Sequence, residues 1–283
     1  MYVKEYPITV GVAGLGLIGG SLAKALKQFT SNWVLGYDTD PSTRRMALAE
    51  HAVDEMPEDS ALGRCDLVFL ALCPRQAVAF LQERVQYLRP GTVVMDLCGV
   101  KRYPFRHLGE LCHSHNLCYV GGHPMAGKEC WGYENADPEL FRGASMIVTP
   151  GPQTPPTVLQ WLEALFLQLG FGRVTPSDPE EHDRIIAFTS QLAHVVSSAY
   201  VKSPQALRQM GFSAGSFKDL TRVARLNPAM WTELFLENAD DLTQEIDTII
   251  AHLQEYREAI TAGDAQQLAK LLEDGRQRKE ATL

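Results

Sequence analysis

Three glycines, one carboxylate and one histidine carry the clearest chemical signals in this chain. Gly14, Gly16 and Gly19 lie in the run Val12-Ala13-Gly14-Leu15-Gly16-Leu17-Ile18-Gly19-Gly20-Ser21, between a short β-rich stretch and a helical pattern. A dinucleotide pyrophosphate needs that order. The first glycine permits a tight turn, the second lets the backbone approach the phosphates, and the third lets the helix pack on the strand. The free N–H groups of the helix start, around Leu15, Leu17 and Ile18, then face the phosphates. A second β-rich run, Trp33–Asp38, ends in a carboxylate 19 residues after Gly19. A Rossmann unit places there the acid that bonds the adenosine ribose. A glycine-rich turn with a stray Asp is the plainer alternative, but spacing, flanking elements and acid all agree on a cofactor site. Asp38 would repel a 2′-phosphate, which favours NAD over NADP. Arg44 and Arg45 are either phosphate partners or the solvated first turn of the next helix.

His123 follows another β-rich run, in Gly121-Gly122-His123-Pro124-Met125-Ala126-Gly127-Lys128-Glu129. Hydride removal from a carbon bearing a hydroxyl needs a proton acceptor close by, and histidine titrates in the right range. A loop histidine that only bonds backbone carbonyls is the competing reading. Ser190 and His194, four apart, share one helix face. Asp219 and Arg222, three apart, form either an intrahelical ion pair or a substrate grip in which Arg222 holds a carboxylate with two parallel hydrogen bonds. Trp231 reads as core packing or as a pocket wall.

The elements that must position these residues fall into two groups. Strand patterns at residues 8–13, 33–38, 67–72, 92–96, 118–120, 145–149 and 173–175 alternate with helical patterns at 17–29, 41–51, 75–87, 103–113 and 156–169. The strands are apolar throughout, as buried parallel strands are. Alternation of this kind predicts an α/β fold with a Rossmann-type, mostly parallel sheet. From Ser177 onward helical patterns dominate, which predicts an all-α C-terminal domain. The division is a dinucleotide-binding domain over 1–176 and a helical substrate and dimerisation domain over 177–283. One long helix is expected over 180–203. Later helices begin at Asn227-Pro228 and near Asp264.

Composition excludes several classes. A length of 283 residues suggests two domains, and a 45% hydrophobic content is ordinary for a folded core. The net charge of −8 argues against nucleic acid or an anionic membrane as partner. No apolar run approaches the ~18 residues of a membrane helix. The amino terminus has no signal-peptide core, so the chain reads as cytoplasmic with its six cysteines reduced. None of them shows zinc-ligand spacing, and no metal is expected.

Three motifs carry a resemblance over nearly the whole chain. They are Val12–Ser21, the Gly-Gly-His-Pro-Met-Ala-Gly run from Gly121 to Gly127, and Phe217-Lys218-Asp219-Leu220-Thr221-Arg222-Val223-Ala224 with the following Asn227-Pro228-Ala229-Met230-Trp231. The chain resembles the TyrA family of prephenate and arogenate dehydrogenases in its short, monofunctional form. The resemblance implies NAD-dependent oxidative decarboxylation of prephenate to 4-hydroxyphenylpyruvate, in tyrosine biosynthesis. His123 matches the catalytic histidine, and Arg222 the arginine that binds a substrate carboxylate, with Asp219 helping to hold it. Ser190, His194 and Trp231 match the pocket region, and Glu129 an acid near the entrance. Gly99 and Lys101 stand in the matching segment after the fourth strand pattern. The site is expected in the cleft between the domains, and the helical half is expected to build a homodimer.

The chain departs from the family pattern at two places. Where members often carry Asp-x-x-Ser-Val-Lys it has Asp96-Leu97-Cys98-Gly99-Val100-Lys101, so no serine hydroxyl is present, and a water or Cys98 is left to replace it. It also has Ser190-Gln191-Leu192-Ala193-His194 where Ser-His-Leu-Pro-His is common, so only the outer two residues and the leucine are kept. Charge favours prephenate over arogenate, since His194 could donate to the pyruvyl oxygens. Other candidates are a two-domain hydroxyacid dehydrogenase, for which Lys202 or Lys218 would have to act as the acid, and a non-catalytic NAD-sensing module.

Overall fold

The computed structural model describes residues 7–282. Its first part alternates strand and helix: β1 (Thr9–Ala13), α1 (Leu17–Phe29), β2 (Trp33–Tyr37), α2 (Pro41–Ala49), β3 (Leu67–Leu70), α3 (Pro74–Arg84), β4 (Val93–Asp96), α4 (Arg102–Ser114), β5 (Cys118–Pro124), β6 (Ser145–Pro150), α5 (Pro156–Gln168) and β7 (Arg173–Pro176). These strands form one sheet in the order β2-β1-β3-β4-β5-β6-β7. All neighbours pair parallel except β5 and β6. The order reverses between β1 and β3, and such a switch point opens a crevice at the carboxyl ends of the strands. Two apolar layers cover the faces. One joins Val10, Val12, Leu22, Leu26, Phe69 and Phe166, and the other Leu35, Val68, Leu70, Leu81, Val94 and Leu108.

β5 runs further than its sequence pattern suggests. It continues through Gly121 and Gly122 because β6 pairs with it, with His123 opposite Ile147. His123 is therefore a strand residue and not a loop residue. The glycines are required by close packing: a Cβ on Gly121 would lie 2.1 Å from the Thr149 hydroxyl oxygen.

The second part is helical: α6 (Pro179–Ile186), α7 (Ala193–Tyr200), α8 (Gly215–Thr221), α9 (Pro228–Leu236), α10 (Ala239–Ala262) and α11 (Ala265–Glu280). The long helix expected over 180–203 forms, with continuous helical backbone over 179–200. A π-helical stretch, Ala187–Leu192, joins α6 to α7, and the helix stops at Tyr200. The capping residues act as their types dictate. Asn227 Oδ1 accepts from the Met230 N–H, and Asp264 Oδ1 from the Gln267 N–H. Gly263, at φ +69°, reverses the chain between α10 and α11.

Polar contacts join the two parts. Arg102, at the start of α4, pairs with Asp183 on α6 and with Asp240 and Asp241 on α10. Arg75 on α3 bonds Glu237, and its backbone N–H donates to Glu233. The α4 amino terminus thus docks on the helical half.

Candidate functional site

The glycine-rich turn has the shape a pyrophosphate requires. Gly14 holds φ +81°, and a Cβ there would lie 2.5 Å from the Ala71 carbonyl oxygen. A Cβ on Gly19 would lie 1.8 Å from the Gly14 carbonyl oxygen, so only glycine lets α1 pack on the turn. Gly16 differs: a Cβ there would meet nothing within 4 Å. No contact inside the protein demands that glycine; it leaves clear space at the α1 amino terminus, which no side chain caps. Leu17 and Ile18 border that space half-buried, while the Leu15 side chain is buried beneath it. The Leu15 N–H donates to Asp38 Oδ2 at 2.8 Å, and the Asp40 N–H donates to Oδ1 at 2.8 Å. Asp38 is thereby fixed at the end of β2, beside the turn. These residues fit the dinucleotide expected of them.

His123 sits half-buried near the end of β5, and its Nδ1 lies 2.9 Å from Nε2 of His182 on α6. His182 Nδ1 lies 2.7 Å from Asp183 Oδ1. Asp183 also accepts the backbone N–H groups of Lys101 at 2.6 Å and Arg102 at 2.9 Å, so it caps α4 from the helical half. Burial, helped by His182 and the Lys101 cation, holds the His123 pKa well below the ordinary histidine value. His182 and Asp183 escaped the reading of the sequence. The signal was there: α6 buries Pro179, His182, Asp183 and Ile186, so an imidazole and a carboxylate occupy its inner stripe.

Lys101 requires a correction. It does not face the cleft. Its side chain has no accessible surface, and the ammonium donates to Asp96, whose other oxygen accepts from the Tyr119 hydroxyl at 2.7 Å. The long apolar stem and the buried anion draw it inward. Gly99 packs under the helical half, where a Cβ would sit 3.3 Å from both methyl groups of Leu234. Cys98 is buried and its thiol donates to the Leu72 carbonyl at 3.5 Å, so it does not stand in for a hydroxyl at position 99.

Arg222 follows α8 and reaches across to Glu129, in the loop after β5, with which it forms an ion pair. Its expected contact with Asp219 is not formed. Asp219 stays exposed on α8, and the guanidinium extends away from its own helix toward the other half of the chain. His194 Nδ1 lies 2.8 Å from the Ser190 carbonyl, so the pair meets through the backbone and not through the serine hydroxyl. The His194 ring lies 3.9 Å, centroid to centroid, from that of Trp231 on α9. Burial lowers the His194 pKa, and the Arg222 cation adds to that, opposed by the Ser190 carbonyl and Glu129. The loop after β5 therefore links His123 to the group formed by Glu129, Arg222, His194 and Trp231. Among the described residues no cluster of His, Cys, Asp and Glu is arranged to hold a metal ion, and the six cysteines are free thiols.

A nucleotide-binding sheet whose strand-end histidine meets a helical half bearing an arginine defines a two-part, nucleotide-dependent dehydrogenase. The chain belongs to the prephenate dehydrogenase family. The family's nucleotide-binding domain matches residues 22–174 and its dimerization domain residues 178–274. A cyclohexadienyl dehydrogenase of Zymomonas mobilis is 32% identical over 269 residues, covering 92% of this chain and 90% of that protein. The crystal structure of prephenate dehydrogenase from A. aeolicus, in complex with hydroxyphenyl propionate and NAD+, superposes with TM-score 0.87 at 26% identity, covering 99% of this chain and 100% of that one. Synechocystis arogenate dehydrogenase gives TM-score 0.82 at 27% identity, covering 98% and 100%.

Proposed function

We propose that this protein catalyses the NAD-dependent oxidative decarboxylation of prephenate to 4-hydroxyphenylpyruvate. The observation that carries the reading is the placement of His123: a base at a strand end, with one ring nitrogen engaged by His182 and the other without a partner among the described residues. NAD+, when bound along Gly14, Gly16, Gly19 and Asp38, supplies the hydride acceptor. His123 Nε2 takes the proton of the substrate C4 hydroxyl as the C4–H bond gives up its hydride. The ring carboxylate then leaves as carbon dioxide, its electron pair completes the aromatic ring, and His123 returns the proton to the phenolate oxygen. Aromatisation drives the reaction, so orientation and one base are the main demands on the protein.

Arg222 grips the substrate side-chain carboxylate. Its partner Glu129 does not prevent this. Both side chains are more than a third exposed, and an exposed ion pair is worth about 0–1 kcal/mol. A bidentate carboxylate is stronger and displaces it. Trp231 and His194 wall the same region, with Ser190 behind them. Residues 1–176 form the cofactor domain and 177–283 the substrate and dimerisation domain. The protein acts as a homodimer in the cytoplasm. The apolar residues Ile250, Leu253, Ile260 and Leu272, exposed on α10 and α11, support burial of these helices against a second copy. No helix among the described residues is long and apolar enough to cross a membrane.

Arogenate is the second reading, because His194, expected from the sequence to donate to the pyruvyl oxygens of prephenate, has its Nδ1 against the Ser190 carbonyl instead. A ring that donates Nδ1–H to the Ser190 carbonyl and stays neutral presents a lone pair at Nε2. A lone pair accepts from an ammonium, which arogenate carries where prephenate has a keto oxygen. The experiment is to follow NADH absorbance with purified protein, NAD+ and each substrate in turn. Reduction with prephenate is expected, and none with either substrate ends the proposal. His123→Asn should abolish turnover while NAD binding persists; equal loss of both would make the residue structural.

A further inference from the structure

We propose that His182 is the positioning residue that sets the catalytic tautomer of His123, through an Asp183–His182–His123 chain assembled across the two halves of the protein. The inference deepens the reaction assigned above and rests on it for its kinetic arm. The polarity of the chain follows from its far end. Asp183 Oδ1 already accepts the Lys101 N–H, and Oδ2 accepts the Arg102 N–H and guanidinium. A carboxylate so committed has no proton to give, so the 2.7 Å contact must be His182 Nδ1–H donating to Asp183. His182 is 2% exposed, and a second proton at Nε2 would make it a buried cation beside the Lys101 ammonium. Its Nε2 is therefore a bare acceptor. Across the 2.9 Å contact the proton must then sit on His123 Nδ1, which leaves His123 Nε2 without one. That nitrogen is the one able to take a proton from substrate.

No other group among the described residues hydrogen-bonds His123 to set this choice. His182 is its hydrogen-bond partner among the described residues. Gly99 brings no hydroxyl, the space beside it is filled by Leu234, and the Cys98 thiol is turned to Leu72. A free imidazole exchanges its proton between the two nitrogens; here the Asp183 carboxylate, acting through the His182 ring, decides which one holds it. The groups facing the two imidazoles are Asp183, the buried Lys101 ammonium and Asp96. The geometry also makes the base conditional on docking of the halves, because His182 and Asp183 come from α6 while His123 comes from β5.

The test has two arms. In the first, ring-¹⁵N-labelled wild-type protein is read by long-range ¹H–¹⁵N correlation. His123 and His182 should both carry the proton on Nδ1. A His123 ring protonated on Nε2 overturns the proposal, whether or not the protein turns over any substrate. In the second, His182→Asn and His182→Gln are compared. The shorter amide can still bond Asp183 but leaves His123 Nδ1 unheld; the longer one carries an amide oxygen to the place of Nε2. His182→Asn should lower kcat by roughly 10²-fold or more, the scale of lost general-base catalysis, with KM and NAD dissociation constant near wild type. His182→Gln should recover at least tenfold of that. A kcat within about twofold of wild type in His182→Asn, or equal losses in both variants that track a lowered melting temperature, would sink it. Failure of wild-type protein to oxidise prephenate or arogenate would instead count against the reaction, and the NMR arm would still judge the tautomer.

Discussion

Removing the Lys101 ammonium should destabilise the protein severely without touching substrate affinity. Asp96 is the anion beneath the site. Its Oδ1 accepts from the Cys98 N–H at 3.0 Å and from Lys101, and its Oδ2 from Tyr119 at 2.7 Å. Neither charged side chain has accessible surface. Lys101→Met keeps most of the volume and deletes the cation, leaving a desolvated carboxylate with two neutral donors. Breaking a buried pair from one side costs about 3–5 kcal/mol. At roughly 2–4 °C per kcal/mol for chains of this order, the melting temperature should fall by about 6–20 °C. Asp96→Asn in the same background removes the stranded charge and should restore most of the loss, since replacing both partners is far less costly than replacing one. Thermal unfolding of wild type, both single variants and the double variant closes the cycle. A Lys101→Met protein within about 1 kcal/mol of wild type, or a double variant no better than Lys101→Met, refutes the reasoning. Kinetics below the transition supply an independent check. KM should hold, and a tenfold rise would return Lys101 to the substrate contacts.

The other expectations are simpler. Gly16→Ala should leave the melting temperature unchanged, because its Cβ meets nothing, yet weaken NAD binding by tenfold or more; Gly19→Ala, with its Cβ 1.8 Å from a carbonyl oxygen, should lower both, as titration calorimetry and thermal unfolding would reveal. Arg222→Ala should raise KM by about 10–100-fold, the scale of a charge-assisted hydrogen bond, with a smaller effect on kcat. Glu129→Gln frees the same guanidinium and should lower KM by up to about fivefold; a raised KM would make Glu129 a direct ligand. Burial holds His123, His182 and His194 below the ordinary value of 6.5. A neutral His123 is the active form, so the acid limb of kcat/KM should fall below pH 6.5. The unfolded chain takes up these protons first, so stability should be full above pH 6.5 and decline below it, measurable as melting temperature against pH.

The α/β alternation was legible because buried strands and amphipathic helices write their periods directly into the chain. The helix over Leu17–Phe29 and the caps at Asn227 and Asp264 stand where local chemistry puts them. The cofactor turn was equally legible, since Gly14 and Gly19 answer to contacts within a few residues or one neighbouring strand. These features depend on interactions short in sequence or on a repeated period, and such terms can be read without coordinates.

What only the tertiary structure decided is which distant groups meet. Spacing put Asp219 beside Arg222, but the guanidinium found Glu129, 93 positions away. Motif position put Lys101 at the substrate, but the buried charge of Asp96 drew it inside. The extension of β5 to His123 came from pairing with β6, and the long helix took on a π stretch at Ala187–Leu192. His182 and Asp183 lay in plain view as an imidazole and a carboxylate on the inner stripe of α6. Their partner could not be named until that helix was laid against the end of β5, because a side chain's spacing fixes the face it occupies, while long-range packing fixes what that face touches.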